Sequence, residues 1–159
     1  MKGYTLIELL LVVGLIGILA LFSVPIGINF YRSQLAEGSR TELIELLTRA
    51  RRYAVLQKSD ARYGVKIETS GGEISSFILY QGVDYDSRND TLDETYSQVP
   101  NLEISYSGSA DLSLGEINFS KLAGTTTATG TITISHTYGG SRAVFIDDFG
   151  NAYATSTSN

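Results

Sequence analysis

The chain has 159 residues, a formal net charge of −5 and no cysteine. That length accommodates a membrane segment and one compact domain. The lack of cysteine excludes disulfide bonds, thiolate chemistry and cysteine-ligated metal sites, so core packing alone must hold the domain together. The negative charge argues against nucleic acid as the main partner, because phosphate binding requires a basic surface.

One acidic residue, Glu8, stands at the start of a long apolar run near the N-terminus. Lys2 is the one charged residue before it, and the 23 residues 9–31 carry no charge. As a helix rising ~1.5 Å per residue, this run would be about 34 Å long and could cross ~30 Å of hydrocarbon. A carboxylate in hydrocarbon costs roughly 2.5–3.5 kcal/mol, which indicates that Glu8 is functional and has a partner.

The same segment does not fit an ordinary secretory signal. Its apolar run is longer than the ~7–15 residues of a signal peptide, and no small-x-small cleavage site follows it. The small residue placed for cleavage is Gly3, and a cut there would leave the hydrophobic helix on the mature protein. We therefore predict a single-pass inner-membrane protein with a cytoplasmic N-terminus and an external domain. The alternative is a plain signal anchor with Glu8 at the membrane interface.

An amphipathic pattern continues directly after the apolar run. Apolar residues recur at three- and four-residue intervals while charged residues fill the other face. The apolar members are Leu43, Leu46, Leu47, Ala50 and Ala54. This pattern predicts one helix from about Thr5 to about Gln57, whose second half packs on a domain. Pro25 removes a backbone donor and is predicted to kink the first half.

From Arg62 onward the apolar period changes to two, which is typical of strands. Two alternating segments flank residues 70–73, Ser-Gly-Gly-Glu, which is a hairpin signature. The predicted strands cover residues 63–69, 74–80, 102–106, 117–119, 131–135, 142–146 and 151–154. The predicted fold class is α+β: a long N-terminal helix, transmembrane in its first half, packed on an antiparallel sheet of six or seven short strands.

The N-terminal sequence K-G-Y-T-L-I-E, followed by an apolar helix that contains a proline, resembles the N-terminal motif of type IV pilins and type II secretion pseudopilins. The resemblance implies that a prepilin peptidase cuts after Gly3 and methylates the new N-terminal amine of Tyr4. It also implies that Glu8 and Thr5 are assembly residues and that Pro25 is the helix-kinking proline. The family usually has Phe where this chain has Tyr4, a difference of one hydroxyl group.

The remainder of the chain is similar to minor pseudopilins of the GspH/FimT group, on residues 42–55, a hairpin, an acidic loop and a closing stretch at residues 130–151. The resemblance implies a leader at residues 1–3, a transmembrane and assembly half-helix at residues 4–31, and a periplasmic or extracellular pilin domain at residues 32–159. It implies a minor subunit of a type IV pilus or type II secretion pseudopilus. A major pilin of the filament shaft and a DNA-binding minor pilin for DNA uptake are the alternatives.

The partners that this resemblance implies are the prepilin peptidase, other pilin or pseudopilin subunits, the inner-membrane assembly platform, and membrane lipid before assembly. Cleavage after Gly3 would leave a cationic amine four residues before Glu8. When a subunit leaves the bilayer, Glu8 can pair with the amine of a neighbouring Tyr4. A subunit docked out of register would leave a buried carboxylate unpaired, which costs several kcal/mol.

The other charged clusters carry weaker predictions. Residues 84–94 form an acidic loop that resembles a solvated loop more than a calcium site, since the turn glycine and a well-placed bidentate glutamate are missing. A run of basic residues near the end of the predicted helix is interpreted as a solvated face. The alternative is a docking surface for the acidic loop of a neighbouring subunit. The run consists of Arg49, Arg51, Arg52, Lys58 and Arg62. Isolated His136 is predicted to be a polar residue at a strand end. No nucleophile–base pair, phosphate loop or metal cluster emerges, so we predict no enzymatic activity and no cofactor, and the neutral C-terminal tail argues against nucleic-acid binding.

Overall fold

A computed structural model describes residues 3–156 of the chain, with the side chains of residues 21–27 excepted. Helix α1 spans Leu6–Val55 and precedes every strand of the described range. The strands are β1 Tyr63–Ser70, β2 Glu73–Gln81, β3 Glu94–Ser97, β4 Leu102–Gly108, β5 Glu116–Phe119, β6 Gly130–His136, β7 Ser141–Ile146 and β8 Ala152–Thr155. One short helix, α2 Ala110–Ser113, connects β4 to β5. Single 3₁₀ turns lie at Lys58–Asp60 and Asp90–Leu92.

The strands form one antiparallel sheet in the order β5-β1-β2-β4-β6-β7-β8, and β3 pairs separately with β2. The β1–β2 hairpin turns at Gly71 and Gly72, both with positive φ, as the Ser-Gly-Gly-Glu sequence predicts. Helix α1 packs against this sheet, with contacts to β1, β2, β5, β6, β7 and β8. The predicted α+β architecture of a long N-terminal helix on an antiparallel sheet is confirmed.

The core lies between the second half of α1 and the inward face of the sheet. The predicted apolar helix face is confirmed, because its five residues are each at most 1% exposed; they are Leu43, Leu46, Leu47, Ala50 and Ala54. Alternate residues of the strands complete the core, for example Val65 and Ile67 on β1 and Ile132 and Ile134 on β6. Each such side chain contributes roughly 1.5–3 kcal/mol on burial, which outweighs the weak intrinsic preferences of short strands.

Strand β2 is buried on both faces, as the four consecutive apolar residues 77–80 indicate and a simple alternation of period two does not. Ile78 and Tyr80 point away from α1 yet are 5% and 0% exposed. On this outer face the Tyr80 ring passes over Gly64 of β1, where a Cβ atom would lie 2.5 Å from the ring. The ring of Tyr85, in the segment that follows β2, lies 5.5 Å from the Tyr80 ring between centroids. The acidic segment is therefore a cover for part of the sheet.

The predicted elements differ from the structure at several points. Strand β3 begins at Glu94, the last residue of the predicted acidic loop, and continues where no strand is predicted; α2 also lies where no element is predicted. Helix α1 begins and ends one or two residues inside the predicted limits. The predicted kink at Pro25 lies outside the described residues, since the side chains of 21–27 are not described.

Candidate assembly site at the N-terminal helix

The sequence-predicted processing and assembly residues lie together at the start of α1. Gly3, Tyr4 and Thr5 precede the helix, and Glu8 lies in its first turn. Tyr4 is 85% exposed, and Gly3, Thr5 and Glu8 are exposed as well. All four positions therefore lie within about one helical turn and are open to a processing enzyme or to a neighbouring subunit.

Thr5 and Glu8 also have a local structural role at the start of α1, in addition to the assembly role that the family resemblance implies. Thr5 is the N-cap of α1, with extended backbone angles, and its hydroxyl accepts a hydrogen bond from the Glu8 amide at 3.4 Å. The Thr-x-x-Glu spacing is that of a capping box, in which Glu8 occupies the third helical position. A carboxylate there also interacts favourably with the positive end of the helix dipole. The four residues Thr5 to Glu8 are therefore a sequence signal for the start of the helix.

The first half of α1 extends beyond the domain. The described large apolar side chains from Leu6 to Leu19 are between 50% and 80% exposed, and Phe30 and Tyr31 remain above 60%. Among the residues of α1 whose side chains are described, Ala36 is the first that is fully buried against the sheet. Apolar surface of this extent on a soluble monomer is rare and marks an interaction surface.

Within the described part of the chain, no helix contains an apolar stretch of sufficient length and hydrophobicity to cross a membrane.

A charged cluster fastens α1 to β7 where the helix enters the domain. The Arg142 guanidinium donates to Glu37 Oε2 through Nε at 2.7 Å and to Ser33 Oγ through Nη2 at 3.1 Å. Arg40, one turn further along α1, also pairs with Glu37. Partial burial disfavours the charged form of Glu37, but the hydrogen bonds from Arg142 and Arg40 outweigh it and lower the pKa of this carboxyl below its ordinary value.

The turn between β6 and β7 approaches the helix backbone at the same point. Gly140 has φ +88°, and a Cβ atom on it would lie 3.0 Å from the Cα of Ser33. The neighbouring Gly139 has φ +116°, but a Cβ atom there would meet nothing within 4 Å. The glycine pair predicts a turn from sequence alone, whereas the contact with Ser33 depends on tertiary packing and carries no sequence signal.

The acidic loop is anchored rather than freely solvated at three of its positions. Arg88 pairs with Asp93 at 2.7 Å and lies 3.6 Å from the centroid of the Tyr85 ring. The Tyr85 hydroxyl donates to Glu68 on β1 at 2.8 Å. Burial and the Glu68 carboxylate raise the pKa of Tyr85 to about 12. Among the described residues, no group of three or more acidic or histidine side chains is placed to hold a metal ion.

The basic face of α1 differs from the predicted solvated face. Arg49 donates to Tyr96 at 2.8 Å and to Glu94 at 3.2 Å, and Arg51 donates to the Phe149 carbonyl at 2.9 Å. These contacts tie the helix to β3 and to the β7–β8 turn, so the solvated-face prediction is wrong for both arginines. His136 lies at the end of β6, as expected, where its Nδ1 accepts a hydrogen bond from the Tyr138 amide at 3.2 Å.

Comparison with solved structures identifies the fold. The chain is similar to the minor pseudopilin EpsH from the type 2 secretion system of Vibrio cholerae, at 15% identity and a TM-score of 0.56, covering 79% of this chain and 99% of EpsH. It is also similar to the type IV minor pilin FimU of Pseudomonas aeruginosa, at 18% identity and a TM-score of 0.59, covering 82% of this chain and 95% of FimU. No protein-family profile and no curated protein matches the sequence. The chain therefore has the fold of type IV minor pilins and type II secretion minor pseudopilins.

Proposed function

We propose that this chain is a structural subunit, not an enzyme, that assembles as a minor component into a type IV pilus or a type II secretion pseudopilus. The observation that carries the proposal is the protruding half of α1: an exposed apolar helix with one carboxylate, Glu8, in its first turn. Apolar surface of this kind requires cover by lipid or by other helices. The fold shared with a minor pseudopilin and a minor pilin supports the same assignment.

In the proposed pathway the subunit is first stored in the inner membrane, with its N-terminus in the cytoplasm and its domain outside. The support is sequence-based: residues 9–31 are uncharged, and as a helix they would be long enough to cross ~30 Å of hydrocarbon. A prepilin peptidase then cuts after Gly3 and methylates Tyr4, and the inner-membrane platform delivers the subunit to the filament. The exposure of Gly3 and Tyr4 ahead of the helix suits such a cut.

Assembly then uses Glu8 as a registry group. In a helical filament the carboxylate becomes surrounded by apolar side chains, and the freed amine of a neighbouring Tyr4 compensates its charge. A subunit displaced along the filament axis loses that partner and keeps a desolvated charge. The pairing therefore selects one register among otherwise similar apolar contacts.

The test is the substitution Glu8→Gln in cells that assemble the filament. Glutamine preserves the capping box but removes the charge, so helix initiation and processing stay intact while charge pairing is lost. We expect the fraction of subunit found in sheared filaments to fall about tenfold or more, since ~1.4 kcal/mol corresponds to a factor of ten. The matched control is Glu45→Gln, which removes an exposed carboxylate from the domain half of the same helix and should incorporate normally.

Normal incorporation of the Glu8→Gln chain would overturn the registry role and leave Glu8 as a helix-capping residue. Equal losses in the Glu8→Gln and Glu45→Gln chains would contradict it as well, because the effect would then follow total charge. The abundance of the subunit relative to the shaft protein in the same filaments decides between a minor and a major component.

A further inference from the structure

Exposed aromatic side chains and an arginine lie where α1 leaves the domain. Phe30 and Tyr31 on the helix are 66% and 63% exposed, and Tyr138 in the β6–β7 turn is 63% exposed. Arg32 follows Tyr31 and is the first charged residue after the uncharged run. We call these four residues the exit collar. Neither the fold nor the N-terminal motif accounts for them.

Contacts within the collar hold Tyr138 in a defined position. The Arg32 guanidinium lies 5.0 Å from the centroid of the Tyr138 ring, and its Nη1 donates to the Tyr138 carbonyl at 3.4 Å. The Tyr138 amide donates to the buried ring of His136 at 3.2 Å. Gly140 brings the same turn against the α1 backbone at Ser33. Tyr138 is therefore an exposed side chain on an ordered turn.

The two chain segments that carry the collar differ in net charge from the whole chain. Residues 28–41 and 136–142 contain three arginines and one glutamate, a net charge of +2, whereas the complete chain carries −5. The one glutamate, Glu37, is already paired with Arg40 and Arg142. Glu103 lies beside the same turn and accepts a hydrogen bond from Thr137. Arg32 is the cation of the collar, and the groups it contacts, the ring and the carbonyl of Tyr138, carry no charge that would neutralise it.

We infer that the exit collar seats the domain on the headgroup layer of an anionic phospholipid membrane before the subunit enters a filament. Tyrosine and phenylalanine rings favour the boundary between hydrocarbon and water, because one end of the side chain is apolar and the other is wet. Arg32 can reach lipid phosphates while its aliphatic stem stays along the aromatic rings. The net charge of −5 is repelled by an anionic surface, so contact is favoured where Arg32 and the aromatic rings are exposed.

This inference rests on the membrane-stored stage of the proposed function and goes beyond it by naming the domain surface that contacts lipid. The chain contains no tryptophan, so a single substitution supplies a unique fluorophore. Tyr138 and Phe149 make a matched pair of positions, with exposures of 63% and 62%. They lie in the turns at opposite ends of β7, about 20 Å apart for six residues at ~3.3 Å each.

The experiment reconstitutes the full chain carrying either Tyr138→Trp or Phe149→Trp in phosphatidylcholine vesicles, with or without phosphatidylglycerol. In the anionic vesicles we expect the Tyr138→Trp fluorophore to be quenched by phosphatidylcholine brominated near the headgroup and to be protected several-fold from aqueous iodide. The Phe149→Trp fluorophore should remain accessible to iodide. Adding Arg32→Gln should reduce the protection of the first probe in anionic vesicles and leave the second unchanged.

Equal iodide access at the two positions, in a chain that floats with the vesicles, would overturn the collar and leave the filament proposal intact. Protection that appears only in assembled filaments would also overturn it, because the collar would then contact a neighbouring subunit. A chain that fails to float with vesicles would refute both the collar and membrane storage. The Glu8→Gln incorporation assay tests the filament role separately in each case.

Discussion

The close approach of Gly140 to α1 supports a quantitative prediction about how the domain holds its protruding helix. The substitution Gly140→Ala places an L-residue at φ +88°, which costs about 1–2 kcal/mol in backbone strain. Its Cβ atom would also lie 3.0 Å from the Cα of Ser33. That neighbour is backbone and cannot rotate away, so relief requires separation of the turn from the helix, at a further cost of about 1–3 kcal/mol.

Gly139→Ala is the matched control, because a Cβ atom at φ +116° meets nothing within 4 Å. It reports backbone strain alone. Thermal unfolding of the full chain in detergent, followed by circular dichroism, should give a larger loss of stability for Gly140→Ala than for Gly139→Ala. The expected difference in unfolding free energy between the two variants is about 1–3 kcal/mol. For a chain of this size, each kcal/mol lowers Tm by roughly 2–4 °C. Equal losses in the two variants would refute the claim that the turn braces α1.

Two other contacts can be tested by substitution: that of Arg142 with α1 and that of Gly64 with the Tyr80 ring. Arg142→Met removes the hydrogen bonds to Glu37 and Ser33 and should cost about 1–2 kcal/mol at neutral pH. Because the folded-state pKa of Glu37 is lowered from 4.5, its pairing stabilises the fold above that pH and is lost as pH falls through the folded value. The gap in Tm between wild type and variant should therefore narrow in acid, and a gap that stays constant from neutral pH into acid would contradict the pairing. Gly64→Ala should cost about 1–3 kcal/mol by displacing the Tyr80 ring. Adding Tyr80→Leu should remove at least part of that cost in a double-mutant cycle of unfolding free energies, and strict additivity would show that the two positions do not contact.

The parts of the fold that the sequence predicts are those with strong periodicity. The three- and four-residue spacing of Leu43, Leu46 and Leu47 gives the buried face of α1, because one helix stripe must meet one sheet face. The two glycines after β1 give the first hairpin, since both adopt positive φ. These signals are local, so a single sequence suffices to read them.

The missed elements lack such local signals. Strand β3 has four residues, no fully buried side chain and an acidic start at Glu94, so its composition resembles the preceding loop. Its position is set by pairing with β2 and by the contact of Tyr96 with Arg49. The double burial of β2 differs, because the four consecutive apolar residues 77–80 are a local signal for it that an interpretation based on period two overlooks.

In the candidate site, too, residues that are contiguous in the sequence could be predicted and residues brought together by folding could not. The cluster from Gly3 to Glu8 is contiguous in the sequence, so both the motif and the capping box are readable there. The exit collar joins residues 30–32 to Tyr138, more than one hundred positions later, and only the folded hairpin brings them together. Arg32 and Tyr138 could not have been associated from spacing.

The most direct measurement is the intact mass and N-terminal sequence of the protein, extracted from cells that contain an active prepilin peptidase. We expect a chain that begins at Tyr4 and carries a methyl group on its terminal amine. A chain that still begins Met1-Lys2-Gly3 would contradict it, because Glu8 would then have no terminal amine of a neighbouring Tyr4 with which to pair.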